Sequence, residues 1–134
     1  MTQPAGWAEV TTIKGYDPDS FVIFQQPESN CLFEVLIVKK SDGAVPGNLL
    51  MSQKEGWLKV VTDARVELFD RWGNYFGQGY DMEGKMAAQH IQRHRVFLFS
   101  QGDYVCIIVE SAPATKFLDH EDDYNRIRES FRLK

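Results

Sequence analysis

The stretch that most constrains this chain is Tyr104-Val105-Cys106-Ile107-Ile108-Val109, six residues that are apolar throughout. It is far too short to cross a membrane as a helix, which takes about 20 apolar residues. A run of this length with no polar side suits a strand covered on both faces, at the centre of a sheet. Ser100-Gln101-Gly102-Asp103 precedes it and joins it in a hairpin to Val96–Phe99. Ser111-Ala112-Pro113-Ala114 breaks it on the far side.

A second strand of the same kind spans Leu32–Lys39. Phe33, Val35 and Ile37 share one face, and Leu32, Glu34, Leu36 and Val38 the other. Phe21–Phe24 is a short strand ahead of it, behind the turn residues Gly15–Ser20, and Trp7–Ile13 is a weakly alternating first strand. Ser41-Asp42-Gly43-Ala44 is a turn. Val45–Lys54 fits no single period. Trp57–Thr62 and Arg65–Phe69 read as strands, the latter with Ala64, Val66 and Leu68 opposed to Arg65 and Glu67. Asp70–Asn74 signals a hairpin through Gly73-Asn74, and the returning strand reaches at most from Tyr75 to Gly79, weakened by Gly77 and Gly79.

Two helices are predicted. One covers Asp81–Arg93, with Met82, Met86, Ala87, His90 and Ile91 near one face. The other runs from about Asp119 or His120 to Arg132, with Tyr124, Ile127 and Phe131 as its stripe. Asp119, Glu121, Asp122 and Asp123 crowd the start of the second, and Arg126, Arg128, Arg132 and Lys134 its end. That polarity complements the helix dipole and explains the charges without a ligand.

These elements predict one α+β domain over residues 1–134: an antiparallel, strongly bent sheet or partly open barrel of about seven strands, with a C-terminal amphipathic helix and one further helix. The early strands have no crossover helices, which excludes a parallel α/β fold. A chain of 134 residues with 43% hydrophobic and 13% aromatic content can fold around its own core without metals or disulfides. Cys31 and Cys106 both lie in or beside apolar runs and read as core thiols.

The same residues narrow the function. A net charge of −4 argues against a nucleic-acid partner. Arg93-His94-Arg95 is the one short basic patch, read as a solvated helix end. The N-terminus has neither the basic nor the apolar region of a secretory signal, so a cytoplasmic location is expected, with no membrane partner. His90 and His94 are four apart, but the zinc motif H-E-x-x-H is absent and two arginines flank them, so no metal site is predicted. Nucleophile-elbow, calcium-loop, phosphate-loop and dinucleotide motifs are absent too, so no cofactor and no catalytic residue is assigned. A non-enzymatic role is favoured over a cryptic enzyme.

One feature stands above background. Arg71, Trp72, Tyr75, Phe76 and Tyr80 cluster around a hairpin, and aromatics with Arg dominate interface hot spots. They are the candidate binding residues for a protein partner, or for a second copy in a homodimer. Two alternatives stand beside this. Phe76 and Tyr80 could fold back onto the core, leaving only Trp72 partly exposed. Or Trp7, Trp57, Met51, Met82 and Met86 could line a ligand cavity between bent sheet and helix.

Overall fold

The computed structural model describes residues 3–11, 21–43, 46–86 and 90–132. Seven strands form one antiparallel sheet: β1 (Ala8–Glu9), β2 (Phe21–Gln26), β3 (Cys31–Lys39), β4 (Thr62–Trp72), β5 (Tyr75–Lys85), β6 (Ile91–Gln101) and β7 (Tyr104–Pro113). Their spatial order is β1-β2-β3-β7-β6-β5-β4, so the sheet is open and β7 lies at its middle. Two meanders, β1–β3 and β4–β7, are stitched together by β3 against β7. Three helices are described: α1 (Pro46–Leu58), α2 (Ala114–Asp119) and α3 (Glu121–Ser130).

Strand alternation sorts the core into two clusters. Phe33, Val35, Phe97, Phe99, Cys106 and Ile108 face α2 and α3, where Phe117, Tyr124, Ile127 and Phe131 close over them. Met82, Val96, Leu98, Val105 and Ile107 face the other way, with Leu49, Leu50 and Trp57 packed against them from α1. The central strands therefore bury both sides, as their unbroken apolar runs require.

Tyr124 fixes α3 to the sheet. Its hydroxyl lies 3.1 Å from the carbonyl oxygens of both Leu32 and Ser111. Trp7 docks across the helix start, where its indole N–H donates to Asp123 Oδ2 at 3.0 Å, and Asp123 also takes His120 Nδ1 at 2.9 Å. The acids Glu121, Asp122 and Asp123 fill the first turn of α3 and Arg128 its last, as the dipole favours. The predicted C-terminal helix is α3, and a short helix that was not expected, α2, precedes it and ends at His120.

Three expectations are corrected. Residues 81–85 are strand, and a new strand starts at Ile91; no helix covers the described part of Asp81–Arg93. Asp81, Glu83 and Lys85 alternate with the buried Met82 and Gly84, a period of two that the glycine and methionines obscured. The further helix is α1 instead, across the segment that fitted no period. It begins with Pro46, which suits a first helical turn, and it absorbs Trp57 and Leu58 from the predicted strand. Finally, Arg93-His94-Arg95 is mid-strand, with the arginines and the histidine on opposite faces. The Gly15–Ser20 turn and the end of the first predicted strand fall outside the described residues.

Cys31 and Cys106 are both buried and free. Cys106 pairs with Ile37, six positions along β3 from Cys31, which separates the two by about 20 Å at the usual strand rise. Burial pushes the Cys106 thiol up to about 12 and raises Cys31 as well.

Candidate functional site

The predicted binding residues all fall on the β4–β5 hairpin, and a bulge divides them. Phe69 pairs with Gly79, and the next pair is Arg71 with Phe76, so β5 carries one residue more than β4 in this interval. That extra residue lets Phe69 and Trp72, three apart in sequence, face the same helices. Gly73 closes the turn at φ +59, and Gly102 closes the β6–β7 turn the same way. Phe69 stacks over Gly79, where a Cβ would sit 2.6 Å from its ring.

Trp72 and Tyr75 point inward. Trp72 is 1% exposed, stacked near Phe33 and Phe97 with Phe131 edge-on. Tyr75 stacks on Phe99 at 4.3 Å and meets Phe131 edge-on. Tyr80 points the other way, fully buried under the α1 side, 5.4 Å from the His94 ring. Arg71 and Phe76 remain outside. Phe76 is 72% exposed, with the Arg71 guanidinium 5.3 Å over its ring. The hairpin thus divides the five residues: three are core, and two form an exposed pair.

A neighbour joins that pair. Leu68 is 75% exposed. It lies opposite Tyr80 on β5, and directly opposed residues share a face. Phe76 and Tyr80 are an even number of residues apart on β5, so Leu68 and Phe76 lie on one side of the hairpin. They are the two most exposed large apolar side chains among the described residues. The alternation of Ala64, Val66 and Leu68 read as one buried face, but only Ala64 and Val66 reach the core.

The opposite side of the hairpin is polar. Arg93 grips Asp81 with two bonds, 2.8 and 3.1 Å, and Arg95 adds a third at 3.3 Å. Both guanidinium groups lie over the Phe117 ring, at 4.6 and 5.3 Å. Burial alone would raise Asp81, but the hydrogen-bonded Arg93 and the nearby Arg95 hold it below the usual carboxylate range. Glu110, next along the same cross-strand row, is fully buried; its Oε1 takes the Trp72 indole N–H at 3.2 Å and lies 3.5 Å from Arg95. Burial raises Glu110 despite the pull of Arg95, Arg128 and the Trp72 bond. Its Oε2 has no hydrogen-bond partner among the described residues.

A groove of about 310 Å³ opens over this row, between β4 and α3, with Arg71, Trp72, Asp81, Arg95, Glu121 and Arg128 in its wall. Its arginines are already engaged: Arg95 by Asp81 and Glu110, Arg71 by the Gly73 carbonyl, Arg128 by Asn125. Some donors of these arginines are thus already spent within the chain. A second groove, about 350 Å³, runs along the outside of α1 past Ser52, Gln53, Gly56, Trp57 and Val60. Neither is the cavity considered above. Trp7 and Trp57 lie on opposite faces of the sheet, Met82 is core, and Met51 is 59% exposed.

The histidines are dispersed. His94 stacks on Trp57 at 4.3 Å beneath α1, His120 binds Asp123, and His90 is exposed. Burial lowers His94 to about 4. Among the described residues no group of three or more His, Cys, Asp or Glu is arranged to hold a metal.

No family profile matches the chain, and no curated protein matches it in sequence. Solved structures do resemble it. PA94 of Pseudomonas aeruginosa, a protein of unknown function, is similar at TM-score 0.64 and 11% identity, over 97% of this chain and 99% of that one. LpqN of Mycobacterium tuberculosis, involved in cell envelope biogenesis, is similar at TM-score 0.57 and 11% identity, over 96% and 79%. Cyanobacterial PsbP from Synechocystis is similar at TM-score 0.51 and 15% identity, over 98% and 84%. At such identities the likeness is one of fold alone.

Proposed function

We propose that this chain is a non-enzymatic binding protein acting through protein–protein contact, with the outer face of the β4–β5 hairpin as its contact surface. The observation that carries this reading is the placement of Leu68 and Phe76. Two large apolar side chains, each more than 70% exposed, stand on one face beside an open sheet edge, with Arg71 over the phenyl ring. Aromatic and Arg side chains are the types that anchor interfaces once desolvated. On the opposite side of the hairpin Asp81 is held by Arg93 and Arg95, and no large apolar side chain there is as exposed as Leu68 or Phe76. No described helix is long and apolar enough to cross a membrane. Two free cysteines suit a reducing compartment, which favours the cytoplasm as the place of action.

The test is site-directed photo-crosslinking in producing cells. A photoreactive residue at Phe76 or Leu68 should yield a crosslinked protein adduct, and one at the exposed Lys116 on α2 should not. Equal yields at all three positions, or none at the hairpin, would reject the reading.

A further inference from the structure

We propose that β4 is a self-pairing edge: two copies of this chain join strand to strand, antiparallel, with Val66 of each on the two-fold axis. This rests on the protein-contact reading and names the partner as a second copy.

β4 ends the sheet, so among the described residues its outer backbone groups face no strand. It is also the long edge, eleven residues against two for β1 at the other end. Long open edges are normally blunted by proline, bulges or charge, because they invite pairing. Here the irregularities sit at the ends. Asp63 takes φ +53 at one, and the register shifts between Phe69 and Arg71 at the other. Between them, Arg65–Phe69 pairs with β5 in unbroken register and contains no proline.

The charges choose one register. A two-fold axis normal to the sheet keeps like faces together, so only pairings of equal parity are isologous. Centred on Val66, Arg65 of each copy stands opposite Glu67 of the other, twice. On the other face Val66 meets its own counterpart, and Leu68 reaches Ala64, the residue just ahead of the regular run, also twice. Centred one residue later, Glu67 would oppose Glu67; one residue earlier, Arg65 would oppose Arg65. Like charges directly opposite are unfavourable, so both neighbouring registers are disfavoured. Within one chain neither Arg65 nor Glu67 has an ion pair among the described residues; across β5, Arg65 stands opposite Glu83, and Glu67 opposite another acid, Asp81. The second copy sets a cation opposite Glu67. It also covers Leu68.

Five paired residues make a small interface, of the class that associates weakly. Sedimentation equilibrium of the full chain should show monomer passing to dimer between about 1 µM and 500 µM, the range a small interface implies. Glu67→Arg and Arg65→Glu are both at exposed positions, and each should leave the circular dichroism unchanged. Each alone should weaken dimerisation by about tenfold or more, since like charges then face each other twice. An equimolar mixture of the two should dimerise again, because one copy then carries acids at both positions and the other carries cations at both. The swapped variant Arg65→Glu/Glu67→Arg should dimerise by itself, and it serves if either single variant fails to fold. A wild-type chain that stays monomeric overturns the proposal. So does a mixture or a swapped variant no tighter than the single variants. A monomer that still crosslinks another protein through Phe76 overturns self-pairing and leaves the protein-contact reading standing. A monomer that crosslinks nothing overturns both.

Discussion

The sheet face under α2 and α3 is aromatic, and the face under α1 is aliphatic. On the first, Phe24, Phe33, Trp72, Phe97 and Phe69 stack in sequence, with Phe131 edge-on to Trp72. On the second, Val96, Leu98, Val105 and Ile107 lie beneath a half-buried Trp57. Each face also buries one side chain that can be charged at ordinary pH, Glu110 on the first and His94 on the second, and the two are treated differently. Glu110 has a Trp72 bond and an arginine alongside; His94 has only the rings of Trp57 and Tyr80, and its Nε2 is unpartnered among the described residues. Ring-on-ring packing thus carries a polar group as long as that group stays neutral, and each face fails toward a different pH.

The largest break in this contrast is Trp72→Ala. Removing a buried Trp costs about 3–5 kcal/mol, and the loss should lie at the upper end because Glu110 also loses its donor. Urea unfolding would measure it, and a cost below that of a typical surface change would refute the placement of Trp72 in the core. Next comes the acid limb. His94 falls from 6.5 to about 4 on folding. Below pH 6.5 the unfolded chain binds a proton that the native chain refuses, so stability drops as pH falls through this window. The loss should approach about 3 kcal/mol near pH 4, by linkage. A His94→Phe variant, which keeps the stack on Trp57, should lose most of that slope between pH 6.5 and about 4.

The smallest effect sharpens the other face. Glu110 is raised on folding, so the native carboxyl stays protonated where the unfolded one has ionised. Its contribution is complete below the unfolded value of 4.5 and is lost as pH climbs from there toward the folded value. Glu110→Gln keeps an acceptor for Trp72 and removes the titration. The variant should match the wild type in acid and be the more stable of the two in alkali, as urea unfolding at the two ends of the range would show. An equal pH slope in both proteins would show Glu110 to be ionised in the fold.

The sheet centre was legible because β3 and β7 carry apolar runs that no surface element tolerates. The C-terminal helix was legible from its dipole-matched charges and from Tyr124, Ile127 and Phe131. Illegibility had local causes. Helix α1 contains Pro46, Gly47 and Gly56 and is held by packing of Leu49, Leu50 and Trp57 against the sheet, a tertiary gain that propensity does not register. Met82 and His94 looked helical beside Met86 and His90, yet they mark the buried side of two strands. The hairpin was found, but its orientation was not. A one-residue bulge decides which of Trp72 and Phe76 sees solvent, and no composition signal reports it. Leu68 was missed because it continued a face that seemed buried.

The stitching of β3 to β7 has a consequence for how the molecule comes into being. Emerging from a ribosome, the first meander must wait through the synthesis of α1, β4, β5 and β6 before its partner strand is made. During that interval the apolar rim of β3 is open, and slow, distant pairings are the ones most exposed to aggregation. The second meander can assemble from neighbours as it is synthesised, each hairpin closing on the last. β7 then acts as a keystone: completing it joins the two halves into one sheet, and α2 and α3, made last, cover the aromatic face. Nascent chains stalled on an added C-terminal linker should therefore resist protease abruptly once β7, α2 and α3 have left the exit tunnel, rather than gaining protection strand by strand.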